Sequence, residues 1–373
     1  MATISTKKFK FYIGIDVSKS FFDYVITQGK TILHHKQILN ESDEIESFLR
    51  ELKEIAGFKL SNAVFGMEHT GLYCNALLNT LHKRKASIVH ENANLIRNSL
   101  GNLRGKTDKI DSKRIAEYLY KCRDELRLWE PKRPIINHLA TLSTLRDRLI
   151  STKNSLDIPL KELSKFSTKE IIQQTRNHCQ ASLAALSVNI IDIDKSIKAI
   201  WSDDEYLRLK MEQMMSVPYI GKTTALQILI KTNEFIDIND PRKFAAFCGV
   251  APYPHKSGTT VNKKTRVSPM ADKKMKALIH ICALGSVKKM GEFRTYYDRK
   301  TGGEGKNGML VLNAIRFKLL LRIFACVRDN RMYQINFKPT LNVIYKLIDH
   351  VDPCKKTPLS KRFHIPYAYN TRK

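Results

Sequence analysis

Three apolar runs follow one another early in the chain: "FYIGIDV" from Phe11, "FFDYVITQ" from Phe21 and "KTILHHKQI" from Lys30. They are rich in β-branched and aromatic residues, and the first two are parted only by the turn "SKS". That spacing leaves no room for intervening helices and predicts three consecutive antiparallel strands. A helix over 41–56, opened by Asn40, should follow. "NAVFGMEHT" predicts a fourth strand, then a helix from about Leu72, a strand at "ASIVHE" and a last helix over 108–121. Three meandering strands followed by alternating helices and strands is the order of an α/β RNase H-like domain, here over 1–130.

Beyond Pro131 and Pro134 the apolar period changes. Leu139, Leu142, Leu145, Leu149 and Leu156 form one heptad-like stripe, and Leu183, Leu186, Ile190, Ile193, Ile197 and Ile200 form another. Two long helices are expected over 131–210, as an antiparallel hairpin or an intermolecular coiled coil. Over 211–335 the chain reads as a mostly α-helical domain. It has a turn and helix at "SVPYIGKTTALQILI", a helix at "PRKFAAFCGVAPYP", a polar basic loop at "HKSGTTVNKKTRVSP", and helices near 272–290 and 308–330. A basic tail occupies 336–373, with Pro353, Pro358 and Pro366 after Asp352. The most apolar run, from Met309 to Val327, is interrupted by Arg316, Lys318 and Arg322, so it predicts an amphipathic helix with a basic face rather than a membrane span. Seven scattered cysteines without zinc spacing suit reduced thiols and a cytoplasmic setting.

The net charge is +28, and residues 251–373 carry 26 Lys and Arg against 7 Asp and Glu. So basic a chain points to a polyanionic partner, nucleic acid first. Against that background four carboxylates stand out. Asp16 interrupts an apolar strand, Glu68 ends the fourth strand, and Asp108 and Asp111 share one face of the last helix. In the RNase H-like order these elements adjoin, so the four would converge. Any one of them alone reads as a cap, a turn residue or a salt bridge, and Asp108 in "TDKID" reads as a helix cap. Together they need neutralising cations, and an all-oxygen set favours Mg²⁺ or Mn²⁺.

"YIGIDVSK", "MEHTGLY" and "KTDKIDSKRIAEYL" resemble the three N-terminal motifs of the bridge-RNA-guided insertion-sequence transposases, a family that includes Piv-type DNA invertases. "SVPYIGKTTALQILI" and "KFAAFCGVAPYPHKSGTTV" resemble its C-terminal transposase domain. The resemblance implies a RuvC-like Asp-Glu-Asp-Asp site at Asp16, Glu68, Asp108 and Asp111, and a serine nucleophile at Ser257. It also implies donor and target DNA and a structured guide RNA as partners, and a homo-oligomer (dimer or tetramer) in which one subunit lends its acidic site to another's serine. Lys106, Lys256, Lys263, Lys264 and Arg266 are the expected nucleic-acid contacts. Two positions depart from the family pattern. Tyr219 replaces the first glycine of a Pro-Gly-x-Gly turn, and "RVSPMADKKMK" lacks a matching glycine. Two other readings compete: a RuvC-like metal-dependent nuclease on branched DNA, in which Ser257 only makes a turn, and a non-enzymatic nucleic-acid-binding protein.

Overall fold

The structure is a computed structural model that describes residues 8–101, 107–163, 165–257, 261–268 and 270–335. Lys106 and the tail 336–373 therefore lie outside the described residues. The chain divides into two compact units, one of residues 1–197 with 232–238, the other of 198–231 with 239–373.

The first unit is built on β1 (Phe11–Val17), β2 (Phe21–Gln28), β3 (Thr31–Leu39), β4 (Ala63–Glu68) and β5 (Ser87–Glu91). The sheet order is β3-β2-β1-β4-β5. β1 pairs antiparallel with β2, and β2 with β3, while the β1–β4 and β4–β5 pairs are parallel. The three-strand meander and the central place of β1 beside β4 are as the sequence predicts. Helices α1 (Ser42–Glu51) and α2 (Asn75–Lys83) cover one face, where Ile13, Ile15, Phe48, Phe65, Leu77 and Leu81 are buried together. On the other face, Tyr12, Val64 and Val89 pack with Ile96 of α3 (Ala93–Leu100) and with Ile115 and Leu119 of α4 (Asp108–Lys121).

Two local expectations fail for identifiable reasons. Asn40 does not open α1, because its amide donates to the carbonyls of Ser18 and Tyr73, both at 3.0 Å, and Glu41 takes the capping position. The short helix α3 was not expected. Its signal is Asn92, whose side chain accepts from the Asn94 backbone N–H at 2.9 Å.

The long helices are α5 (Pro134–Leu163) and α6 (Lys169–Asp203). The Arg146 guanidinium grips Asp194 with two hydrogen bonds, of 2.5 and 3.1 Å, so the helices lie side by side at that level. Leu139 is buried but Leu145 is 43% exposed, so the stripe is only partly covered within the chain.

The second unit contains α7 (Glu205–Ser216), α8 (Lys222–Thr232), α9 (Pro241–Phe247), strands β6 (Pro252–Ser257) and β7 (Val261–Val267), α10 (Lys273–Lys288), α11 (Glu292–Asp298) and α12 (Gly308–Arg328). Tyr219, in the turn before α8, has φ of 72°, so the position that departs from the family's glycine keeps the left-handed backbone a glycine favours. The expected loop after α9 is instead an antiparallel β-hairpin. Its charged residues mask the strand signal, yet Val261, Thr265 and Val267 alternate as β-branched positions. Pro252 starts β6, and Pro254 falls at a register irregularity between Tyr253 and His255, places where a strand tolerates proline. The helix expected near 308–330 is present as α12, but Arg316 does not share an exposed basic face. It is 4% exposed, because α12 packs against both α10 and α9. No helix among the described residues is long and apolar enough to cross a membrane.

Candidate active site

The acidic face is set by backbone geometry. Tyr12, Gly14 and Asp16 alternate onto the side of β1 that faces α4. Gly14 is opposite Gly66 in the parallel β1–β4 register, and Ile15 is opposite Met67, so Asp16 and Glu68 are neighbours at the ends of adjacent strands. The two glycines form a flat floor for α4. A Cβ on Gly14 would lie 2.1 Å from the Ser112 carbonyl oxygen and 2.3 Å from the Ala116 backbone nitrogen, inside a helical hydrogen bond. A Cβ on Gly66 would come within 2.8 Å of Leu119. Contact this close brings the first turn of α4, with Asp108 and Asp111, onto Asp16. Gly14→Ala should therefore lift α4. The expected cost is about 1–3 kcal/mol of stability from overpacking. Moving the carboxylates by about 1 Å should lower strand-exchange activity by on the order of 10²-fold. A thermal melt and a plasmid recombination assay check both.

α4 is capped by Thr107, whose hydroxyl accepts from the Ile110 backbone N–H at 3.2 Å. Asp108 is thus not the cap. Asp111 receives a 2.8 Å ion pair from Arg114, one turn on. Burial, then the negative charges of Asp111, Glu68 and Asp108, and last that of Asp23, push the Asp16 carboxyl up from 3.8 to about 6. All three predicted partners thus act on Asp16 through space. Among the described residues no three carboxylate, imidazole or thiol groups sit at metal-ligand spacing. Mutual repulsion and the Arg114 pair both act against that approach. The donor set itself, hard anionic oxygens crowded enough to raise the Asp16 carboxyl to about 6, is what a small divalent cation relieves.

Sequence reasoning missed Asp23. It is directly opposite Asp16 on β2 and 5% exposed. His35 lies 3.0 Å from one of its oxygens, and Gln37 donates to the other at 2.7 Å. Asp23 is therefore tied to β3 and buttresses the strand that carries Asp16. The only signal in the sequence was a carboxylate inside "FFDYVITQ", whose partners lie on a strand twelve and fourteen residues away.

In the second unit Ser257 is the last residue of β6, paired with Val261 of β7. The closing turn, 258–260, is outside the described residues. Lys256 is opposite Asn262, Lys263 opposite His255, and Arg266 opposite Tyr253, while Lys264 lies between them in β7. The serine is thus at the tip of a basic two-stranded arm.

Residues 13–165 match a family profile described as a transposase. Residues 211–298 match a second, described as the transposase IS116/IS110/IS902 family. The chain belongs to this family of insertion-element transposases. It is 24% identical to the pilin gene-inverting protein of Moraxella lacunata over 329 residues, covering 87% of this chain and 98% of that protein. The Moraxella bovis protein of the same name matches to the same extent. The transposase for insertion sequence element IS1533 of Leptospira borgpetersenii is 24% identical over 265 residues, 63% of this chain and 73% of its own.

Proposed function

We propose that this chain breaks and rejoins donor and target DNA strands through Ser257, assisted by a Mg²⁺ or Mn²⁺ site in an RNase H-like (RuvC-like) domain and directed by a structured guide RNA. The observation that carries this reading is the gathering of Asp111, Glu68 and Asp108 around Asp16 in a chain of net charge +28. Asp16, Glu68, Asp108 and Asp111 would hold the cation, which when bound offsets charge on phosphate oxygens. The Ser257 oxygen bonds to phosphorus and gives up its proton. The bond from phosphorus to one deoxyribose oxygen breaks, and that oxygen takes a proton and leaves as a free hydroxyl. Rejoining is the reverse, with a hydroxyl from another strand displacing the serine. One phosphoester replaces another at each step, so no external energy source is required.

The sheet order and the likeness, over 87% of this chain, to pilin gene-inverting proteins support the reading. Leu145 of the α5 stripe is 43% exposed, and Val188 and Ile191, outside the α6 stripe, are 56% and 54% exposed; these uncovered apolar side chains support a homo-oligomer. Such an assembly would bring one copy's acidic face to another's serine. The guide RNA is tested by purifying the protein from cells that carry the whole element and sequencing the RNA that comes with it. A discrete RNA from the element's non-coding flank, and loss of recombination after RNase treatment, are expected. Undiminished recombination by RNase-treated protein would remove the RNA from the account.

A further inference from the structure

Arg316 is an unusual residue to bury. It is 4% exposed on α12, and among the described residues no carboxylate is paired with it. One terminal nitrogen donates to the Asn313 side-chain oxygen at 3.2 Å, the other to His280 Nδ1 at 2.7 Å, and Nε is buried with no partner. The Asn313 amide in turn donates to the Val250 carbonyl at 2.7 Å, two residues before β6 begins. Lys276, one helical turn before His280 on α10, is half-buried and has no ion pair among the described residues, with its side chain lying along the turn at Gly249. Gly249 has φ of 63° and would meet Ala271 at 2.6 Å if it carried a Cβ, so this close turn requires glycine. Asp272, which caps α10, is already paired with Lys231 at 2.9 Å.

The hydrogen bonding also fixes His280. A guanidinium N–H can only be received by a lone pair, so Nδ1 is the acceptor and the ring proton is on Nε2. His280 is thereby a neutral donor rather than a base. An uncompensated buried cation is costly unless an anion reaches it. Here a lysine, a neutral N–H donor and an oriented amide surround it. His280, Asn313 and Lys276 are only half-buried, so the cluster opens to solvent through them.

We propose that Arg316, His280, Asn313 and Lys276 form a binding site for a DNA backbone phosphate at the foot of the hairpin that carries Ser257. The site rests on the reading of Ser257 as acting on DNA. β6 advances about 3.3 Å per residue, so the tip serine lies on the order of 17 Å along the strand from Pro252. The phosphate held at the foot is therefore not the one attacked, but one that fixes the strand's register on the arm. Lys276 and the Arg316 charge supply attraction, and the His280 Nε2 proton supplies direction.

The test is binding of the full chain to a labelled DNA duplex in chelator, where no strand is cut, over a range of salt. Each ionic contact to phosphate adds about 0.9 to the slope of log affinity against log salt. Arg316→Gln and Lys276→Gln should each lower that slope by about 1, whereas Arg316→Lys should keep it. His280→Ala should weaken binding with the slope unchanged, because a neutral donor releases no counterion. Arg316→Gln should also melt no lower than wild type without DNA. An unchanged slope in both glutamine variants overturns the site, as does a slope change seen with RNA and not with DNA. If Arg316→Gln does not fold, Lys276→Gln at the rim decides alone. Loss of duplex binding by the wild-type chain would instead count against the parent reading.

Discussion

Asp16→Asn is expected to abolish strand exchange and yet raise the melting temperature. At neutral pH the native chain keeps Asp16 charged beside Asp111, Glu68 and Asp108, all of which oppose that charge. The sign follows from linkage. With a folded value near 6 against an ordinary 3.8, the group's stabilising contribution is full below about pH 4 and is lost as pH rises through 6. Above that, the ionised carboxylate destabilises the fold. Allowing for solvent screening, removing its charge should return about 1–2 kcal/mol. The activity loss should reach at least about 10³-fold, or ~4 kcal/mol of barrier, because the proposed cation would lose one of its four carboxylates. Calorimetry with and without Mg²⁺ separates the effects. Wild type should gain stability from the ion, and Asp16→Asn should not. Equal responses to Mg²⁺, or full recombination in chelator, would leave the carboxylates as structural residues.

The four carboxylates could be singled out before the fold only in combination, since each alone reads as a cap, a turn residue or a salt bridge. A charge in an apolar strand, a charge at a strand end and an i, i+3 pair on a helix need only the strand order to be brought together, and apolar runs dictate that order. What makes the site possible was less legible. Gly14 and Gly66 read in isolation as weak points of two strands, and only the approach of α4 to 2.1 Å of a would-be side chain explains them. Asp23 was hidden because its partners, His35 and Gln37, come from the next strand. The β6–β7 hairpin was concealed by its own lysines, which suggest a loop although the backbone pairs. Arg316 was misassigned for a related reason. Periodicity gives a helix's faces but not how many neighbours it has, and α12 is covered on more than one side.

Ser257→Ala carries the largest effect. A turn serine contributes roughly 1 kcal/mol through a hydrogen bond, so its loss would change the rate by less than about tenfold. A serine that forms the bond to phosphorus cannot be replaced by alanine without a loss of many orders of magnitude. DNA binding should survive, since the lysines of the arm remain. Ser268→Ala, just beyond β7, should retain activity and serves as the control.

The most direct measurement is the bond itself. Wild-type protein is incubated with its DNA, guide RNA and Mg²⁺, denatured, digested with nuclease and protease, and the peptide that retains nucleotide is sequenced by mass spectrometry. Ser257 should carry the nucleotide through phosphorus in wild type, and Ser257→Ala should yield no adduct. Efficient strand cleavage with no peptide-linked nucleotide, or cleavage at near wild-type rate by Ser257→Ala, would contradict the serine mechanism and leave a metal-dependent nuclease that uses water.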